Sequence, residues 1–476
     1  MNTSSKSNFP GAVKVWHSPD ADAMAAFSAT ACRAKTVNDA SKAVKQVQAI
    51  STGSAGSTEN RASREAADSI EPVTEEPVTA LTTAKVFKGR GAVSQPQGRF
   101  EQFQRTVDDD GWAPLAFTRS DLGAEHMGAE QPSDQHSKQS PKHLADELNQ
   151  PVLERVSDRP APATRFQFQS STRAISRNDS PDIFFDQSVN PYRGCEHGCV
   201  YCYARPGHAY EGLSPGLDFE TRIMVRRELP DLLAAELDRR SYQCEPITIG
   251  AFTDAYQPAD RRFGLTRRII QVLLARRHPF TIITKNALVE RDLDLLTQAA
   301  SLQLVACFVS VTSLDPALAR QWEPRASAPY RRLETIKRLS DAGIPTGVMA
   351  APLVPFVNDV DLERILKAAS DAGALSAHYT VLRLPNEVLP VFQDWLMAQF
   401  PDRYVRVMNR IRDLRGGQRL NDTGFHSRMR GQGPWADLIA NRFKLAARRY
   451  GLMTSRPQLN CGLFSPNPDA AQQSLF

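Results

Sequence analysis

The chain has 476 residues, a formal net charge of +5 and 41% apolar residues, and its length allows two or three domains. No apolar run approaches the roughly 18 residues that a membrane helix requires, and the N-terminus lacks an apolar stretch of signal-peptide length. The seven cysteines are an odd number, which excludes complete disulfide pairing. We therefore expect a cytoplasmic protein, in which clustered cysteines are more often metal ligands or catalysts than disulfides.

The first part of the chain differs in composition from the rest. Residues 1–86 are rich in Ser, Ala, Thr and Glu, with Phe9, Trp16 and Phe27 as their only aromatic residues. Such a segment buries too little apolar surface to offset the entropy of ordering it, which predicts a disordered N-terminal region. Residues 87–165 begin with FKGRGAVSQPQGRF and continue as a polar, Pro-containing stretch. This pattern predicts an extended docking segment followed by a linker.

Residues 166–400 alternate between apolar runs of strand length and amphipathic helical patterns. The runs that predict strands are 188–192, 247–252, 280–284, 304–311, 346–350 and 378–382. Helices between consecutive strands act as crossover connections, and these make the strands parallel. Six such units predict an α/β fold that forms a partial (β/α)6 barrel rather than a closed eight-stranded one.

Polar residues lie at the end of several of these predicted strands or just after them, at the edge of the sheet where parallel α/β folds place their chemistry. The residues that we select as candidates are Thr253, Asp254, Lys285, Ser310, Thr312 and Ser313. Each also has a simpler interpretation, because Asp and Thr are common in capped turns and a lysine at a strand end is often only solvated.

The segment NPYRGCEHGCVYCYARP follows the first predicted strand and contains Cys195, Cys199 and Cys202. Their spacing is too short for independent sites, so the three sulfurs should face one centre. A structural zinc site takes four protein ligands, and His197 lies awkwardly between two of the cysteines for a fourth. An iron–sulfur cube bound by only three thiolates keeps one iron open to a substrate or cofactor.

The C-x3-C-x2-C spacing, with Tyr201 just before the third cysteine, resembles the radical S-adenosylmethionine (SAM) superfamily. Together with SPGLDFETRI at 214–223, TDAYQP at 253–258 and EPRA at 323–326, it resembles the branch related to spore photoproduct lyase, labelled DNA repair photolyase-like. The resemblance implies that the three cysteines bind a [4Fe–4S] cluster whose fourth iron is chelated by SAM. An electron from a low-potential donor of the flavodoxin or ferredoxin type then cleaves SAM to a 5′-deoxyadenosyl radical, which abstracts hydrogen from the substrate.

The resemblance also implies roles for the candidates. It places Thr253 and Asp254 at the SAM amino group; Lys285 would suit the SAM carboxylate, and Tyr201 the adenine. Ser310, Thr312 and Ser313 would suit the ribose hydroxyls. Arg325 could bind an anion or pair with Glu323 or Asp315. Two alternatives stay open: a radical SAM enzyme that acts on a peptide or metabolite, and an iron–sulfur protein for binding or electron transfer without SAM turnover.

The C-terminal part is basic. Residues 401–463 predict a helical extension, and within it 403–449 contain eleven arginines and no glutamate. This excess predicts contact with nucleic acid or another polyanion, although a solvated helical surface would look the same. Residues 464–476 predict a mobile tail. Its last residues, Gln472–Phe476 (QQSLF), resemble the motif by which bacterial replication and repair proteins bind the sliding clamp; a chance match and packing on the chain's own core are the alternatives.

Overall fold

The computed structural model describes residues 87–101, 162–455 and 458–466. The predictions of a disordered region at 1–86, of the linker beyond residue 101 and of a clamp-binding motif at Gln472–Phe476 lie outside these ranges. Within them, no helix combines the length and the apolar character needed to span a membrane.

The strands of the described part are, in chain order, β1 (Arg165–Phe168), β2 (Ile175–Arg177), β3 (Gln187–Val189), β4 (Tyr192–Arg193), β5 (Arg222–Val225), β6 (Ile247–Ile249), β7 (Phe280–Thr284), β8 (Val305–Ser310), β9 (Thr346–Leu353) and β10 (Ser376–Val381). The α-helices are α1 (Leu217–Thr221), α2 (Leu229–Leu237), α3 (Ala259–Phe263), α4 (Leu265–Ala275), α5 (Leu293–Ser301), α6 (Pro316–Trp322), α7 (Pro329–Asp341), α8 (Leu362–Asp371), α9 (Val388–Gln399), α10 (Tyr404–Asp413), α11 (Ser427–Arg430) and α12 (Gly433–Arg449).

The main sheet has the strand order β10-β9-β8-β7-β6-β3-β2. All neighbouring pairs from β3 to β10 are parallel, and only β2, at the edge, runs antiparallel to β3. Six parallel strands therefore lie side by side in chain order, which confirms the predicted α/β class and the partial barrel. Parallel order also brings the carboxyl ends of all six strands to one edge, where the candidate residues lie.

The core lies between the main sheet and the helices that cover it. The predicted apolar face of α4 is buried through Ile269 and Leu273, and that of α8 through Ile365 and Leu366. Each fully buried aliphatic side chain of this kind contributes about 1.5–3 kcal/mol relative to an exposed one. Gly343, just after α7, has a φ of 75°, which an L-residue rarely adopts, so it ends the helix.

The first predicted strand, 188–192, is split between two sheets. Residues Gln187–Val189 pair with β6 in the main sheet, whereas Tyr192–Arg193 pair with β5 in a separate three-stranded sheet of order β1-β5-β4. The strand breaks at Pro191, because proline has no N–H to donate to the main sheet. The small sheet was not predicted, and it fixes the position at which the cysteine segment begins.

The C-terminal extension packs against the last strands and helices of the barrel. The Phe443 ring of α12 lies 4.6 Å from the Tyr379 ring of β10. The Arg442 guanidinium of α12 donates to Glu363 of α8 at 2.6 Å. The predicted basic helices are therefore attached to the barrel by both apolar and ionic contacts.

Candidate active site

The three cysteines lie together on the loop that follows β4. Cys195 and Cys199 are buried, and the partly buried Cys202 packs against the apolar groups that contain each of them. Two turns shape this loop, because the Gly198 amide donates to the Cys195 carbonyl at 3.3 Å and the Cys202 amide donates to the Cys199 carbonyl at 3.2 Å. All three thiols are free, and the charges of Cys199 and Cys202 act on Cys195.

Residues from two later segments hold the cysteine loop in place. The side-chain amide of Gln257 donates to the Gly194 carbonyl at 3.0 Å, and its oxygen accepts from the Glu196 amide at 2.9 Å. The Val200 amide donates to the Trp322 carbonyl at 3.1 Å. The TDAYQP segment thus fixes the start of the loop and the segment before EPRA fixes its middle.

His197 is not a fourth ligand of the cysteine group. Its ring is buried, with Nδ1 3.4 Å from the Asp254 carboxylate. Its Nε2 accepts from the Asn286 side-chain amide at 3.0 Å. Both ring nitrogens are therefore occupied by protein groups, which leaves three thiols as the donor set.

The donor set fits an iron–sulfur cluster with one open iron. Burial raises the pKa of Cys195, Cys199 and Cys202, because their thiolates are poorly solvated. A bound metal compensates this cost, since a coordinating thiol is deprotonated by the charge of the metal. In the described ranges no three His, Cys, Asp or Glu side chains converge as ligands of a single ion. In a cube each thiolate would bind a different iron, so the three cysteines would hold three irons and leave the fourth open.

Asp254 is the best-connected of the predicted cofactor residues. Its carboxylate accepts from the Thr284 hydroxyl at 2.8 Å and from the amides of Tyr256 and Lys285 at 2.9 and 2.7 Å, with His197 nearby. Burial alone would raise the pKa of the carboxyl, but the charge and hydrogen bonds of these donors outweigh it and hold the pKa at about 2. Asp254 therefore joins the ends of β6 and β7 to the cysteine loop.

Three other predicted cofactor residues also have protein partners. The buried Thr253 hydroxyl donates to the Tyr192 carbonyl at 2.7 Å. The Ser313 hydroxyl donates to Asp361 at 2.8 Å. The Tyr201 hydroxyl donates to Glu323. These contacts brace the strand ends and the cysteine loop.

Lys285 and Thr312 have polar groups without such partners. No acidic side chain in the described residues pairs with the Lys285 ammonium, which lies 5.9 Å from the centre of the Tyr201 ring. The Thr312 hydroxyl is buried and has no hydrogen-bond partner among the described residues. Ser310 ends β8 just before it and is also buried. A buried hydroxyl is normally hydrogen-bonded, so this part of the strand edge suits a polar ligand.

The acidic and basic residues of the EPRA segment pair differently from the prediction. Arg325 forms an ion pair with Glu196 of the cysteine loop at 2.9 Å, not with Glu323 or Asp315. Glu323 is buried and pairs instead with Arg332. The Arg332 side chain also donates to the Ser310 carbonyl at 3.1 Å, which ties α7 to the end of β8.

A cavity of about 990 Å³ opens beside the cysteine loop, with Gly194, Tyr203 and Gly207 of this region in its wall. Its described lining contains no Asp or Glu and includes six arginines, which are Arg99, Arg173, Arg177, Arg193, Arg226 and Arg383. This group could not be recognised from the sequence, because its members come from separate segments that only the fold brings together.

The arginines of the cavity are not equally available. Arg99 and Arg193 pair with Glu387 and Glu211. Arg226 donates to the Asn190 carbonyl at 3.0 Å and to other neighbours. The remaining three, Arg173, Arg177 and Arg383, have no acidic partner among the described residues.

Arg383 lies deeper than the other two unpaired arginines. Its Nε is buried without a hydrogen-bond partner in the described chain, and burial lowers the pKa of the guanidinium. A buried guanidinium N–H without a partner is costly, which suits a site that receives an anion.

Two aromatic rings stand in the same cavity. Tyr203 is 49% exposed and Phe252 is 38% exposed, and their rings meet edge to face at 6.4 Å. The Tyr203 hydroxyl donates to the Ala251 carbonyl, and the Phe252 ring lies so close to Gly207 that an added Cβ would overlap it. These exposed rings are thus held in fixed orientations.

The arginines of the C-terminal extension divide into surface and interior residues. Arg403, Arg406 and Arg419 are exposed. Arg415 is buried and donates to the carbonyls of Leu382, Ser427 and Arg428, so it is a structural residue and not part of a basic surface. The basic surface is therefore smaller than the arginine count of the region indicates.

The chain is similar to several known proteins. The profile of the Radical SAM superfamily matches residues 189–369. The uncharacterised protein Mb2609c of Mycobacterium bovis is 37% identical over 232 residues, which cover 48% of this chain and 67% of that protein. The uncharacterised protein MJ0683 of Methanocaldococcus jannaschii is 25% identical over 222 residues, covering 47% and 79% of the two chains.

Among solved structures, spore photoproduct lyase complexed with dinucleoside spore photoproduct superposes with a TM-score of 0.45 and 14% identity, covering 60% of this chain and 80% of that one. The family profile spans the cysteine loop and most of the parallel strands, and the mycobacterial relative matches over two thirds of its length. The chain therefore belongs to the radical SAM superfamily, whose enzymes use a [4Fe–4S] cluster and S-adenosylmethionine.

Proposed function

We propose that this radical SAM enzyme acts on nucleic acid, in lesion repair or modification. The observation that carries the proposal is the cavity of about 990 Å³ beside the cysteine loop, lined by six arginines and no acidic residue among those described. A cavity of one charge sign concentrates ligands of the opposite sign. The planar guanidinium of arginine binds a phosphate group through two parallel N–H···O hydrogen bonds.

The aromatic pair favours a nucleic acid over other polyanions. A base stacked on an exposed aromatic ring contributes about 1–3 kcal/mol, and each base offers a flat face for such contact. Tyr203 and Phe252 supply fixed rings in the same cavity as the unpaired Arg173 and Arg177. This combination of cations and rings supports contact with both the backbone and the bases of one strand.

We assign the cofactor contacts as follows. Cys195, Cys199 and Cys202 bind the cluster, which together with SAM supplies the radical that removes hydrogen from the substrate. Lys285 receives the SAM carboxylate, and the hydroxyls of Ser310 and Thr312 receive the ribose. This choice is supported by the free ammonium and by the unpartnered Thr312 hydroxyl.

The other predicted cofactor residues act mainly by position. Asp254 keeps the ends of β6 and β7 against the cysteine loop. The hydroxyls of Thr253 and Ser313 hold the ends of their own strands in place. The Tyr201 ring, which packs edge-on against Trp322 at 5.3 Å, would lie beside the adenine. Their backbone groups and ring faces are the parts available to SAM.

Two partners complete the proposal. Enzymes of this superfamily need an electron donor, and we propose one of the flavodoxin or ferredoxin type in the cytoplasm. We also propose that QQSLF recruits the enzyme to the sliding clamp, where Leu475 and Phe476 would fill an apolar pocket.

The test measures binding of fluorescent single-stranded and duplex oligonucleotides to the anaerobically loaded protein at several salt concentrations. Each phosphate contact that is lost lowers the slope of log K against log salt by about 0.7 for a single strand. Replacing Arg173 and Arg177 with Ala should therefore lower the slope by about 1.4 and weaken binding at low salt. The matched control replaces Arg261 and Arg320, which are exposed on α3 and α6, outside both the cavity and the basic region 403–449, and should change binding little.

Polyglutamate serves as a polyanion without bases. Oligonucleotide binding that exceeds polyglutamate binding, and that falls in the cavity variant more than in the control, supports the proposal. Equal loss in both double variants would assign the binding to general surface charge. No oligonucleotide binding at low salt would redirect the search to a peptide or a metabolite.

A further inference from the structure

The segment 87–101, called here the strap, docks beside the cysteine loop, although the match to the radical SAM profile begins far downstream, at residue 189. The amides of Gly91 and Ala92 donate to the two carboxylate oxygens of Glu220 at 3.0 and 2.8 Å. The Arg90 guanidinium donates to the Glu220 carbonyl at 3.0 Å. Glu220 thus accepts hydrogen bonds from three consecutive residues of the strap.

Glu220 also controls the cysteine loop through Arg205. Both side chains are fully buried, and the Arg205 guanidinium donates to the Glu220 carboxylate at 2.6 Å. The same guanidinium donates to the carbonyls of Gly198 and Cys199 at 3.3 and 2.9 Å. Removing either partner of this buried pair would leave the other charge buried without compensation. The positions of the strap and of the loop therefore depend on the same ion pair.

The strap and the loop approach each other as closely as backbones can. A Cβ added to Gly91 would overlap the Gly198 carbonyl oxygen. Val93, two residues further along the strap, is buried in the apolar group that contains Cys199, Val200 and Tyr201. The strap therefore covers the side of the loop that carries the second cysteine.

We propose that the strap is a wall of the cluster site, which seals the cysteine loop from solvent, and that Glu220 is the positioning residue that holds it there. This role rests on strap residues 90–93, which contact Glu220 and the loop, whereas Arg99, further along the strap, lines the cavity. It assigns a function to a segment outside the matched part of the chain: protection of the three thiols, and of the cluster they bind, from reagents in water.

The test uses the full-length, cluster-free protein under anaerobic conditions. Iodoacetamide alkylates exposed thiols, and mass spectrometry follows the rate at each cysteine. Gly91→Val, which cannot dock, should raise the alkylation rates of Cys195, Cys199 and Cys202 at least tenfold. The rate at Cys307, which is buried in β8, should not change and reports whether the whole fold has opened.

Two further variants sharpen the test. Lys88→Val changes an exposed residue of the same strap and should leave all rates unchanged. Glu220→Gln keeps the shape but removes the charge that pairs with Arg205, so it should raise the same three rates. In cluster-loaded Gly91→Val, a chelator should capture iron faster than from the parent protein.

Unchanged rates at the three loop cysteines in both Gly91→Val and Glu220→Gln would overturn the proposal. A rise at Cys307 that equals the rise at the loop cysteines would also overturn it, because the strap would then support the entire fold rather than seal one loop.

Discussion

Replacing Asp254 with asparagine is expected to lower the free energy of unfolding by about 3 kcal/mol. The variant keeps Oδ1, so the bonds from the Tyr256 amide and the Thr284 hydroxyl survive. It replaces Oδ2 with the NH2 of a side-chain amide. In the parent protein Oδ2 accepts from the Lys285 amide at 2.7 Å and lies near the His197 ring. The Lys285 amide and the His197 ring would then face a buried N–H donor instead of an acceptor. Each buried donor left without a partner costs about 1–3 kcal/mol.

The effect should depend on pH. Because the pKa of Asp254 is held at about 2, below its ordinary value of 3.8, its ionised form stabilises the fold at neutral pH and loses this contribution as the pH falls through about 2. A shift of this size corresponds to about 2 kcal/mol. The difference in unfolding free energy between parent and variant should thus be largest at pH 7 and should decrease as the pH falls from about 4 to about 2.

The assay is urea unfolding of the cluster-free protein, followed by circular dichroism. Asp371→Asn is the matched control, because Asp371 is an exposed carboxylate paired with Lys367 at 2.6 Å. Such surface pairs contribute less than about 1 kcal/mol, so the control should unfold nearly as the parent does. A loss below about 1 kcal/mol in the Asp254 variant would refute the assigned hydrogen-bond network.

Removal of residues 1–86 should leave iron content and the thermal midpoint unchanged, because that composition contributes no core; a large loss of stability would show that the segment docks. Reversal of Arg406 and Arg412 to Glu should weaken nucleic-acid binding and its salt dependence, since fewer counterions are released; unchanged binding would remove α10 from the interface. A peptide ending in QQSLF should bind a bacterial sliding clamp with micromolar affinity, about −8 kcal/mol. Changing Leu475 and Phe476 to Ala should abolish this binding without altering iron content, and absence of peptide binding would end the clamp proposal.

The fold could be predicted because its strands are buried on both faces. A run such as FTIIT at 280–284 is continuous in apolar and β-branched residues, and helices on either side leave only a parallel arrangement. The small sheet was missed because β4 has two residues and the four residues of β1 are mostly exposed. Strands that short carry no periodic signal.

The grouping of the three cysteines on one loop could be predicted because they are close in sequence, and their role as cluster ligands stays a prediction. The residues that hold the cysteine loop in place could not be predicted. Glu220 lies in a short helix and looks like a solvated acid, yet its carboxylate is buried against a segment 129 positions upstream. Arg415 was grouped with a basic surface, but it is buried because three backbone carbonyls converge on its guanidinium. Charged residues of one type serve both roles, and only tertiary structure separates them.

We propose that the three cysteines bind a cluster that turns over SAM. The most direct test is whether the anaerobically reconstituted and reduced protein converts SAM to 5′-deoxyadenosine. We expect about four irons per chain and steady release of 5′-deoxyadenosine, with both lost when Cys195, Cys199 and Cys202 are replaced by Ala in a protein that keeps its circular dichroism spectrum. Full iron content in the triple variant, or no 5′-deoxyadenosine from the fully loaded parent protein, would contradict the claim.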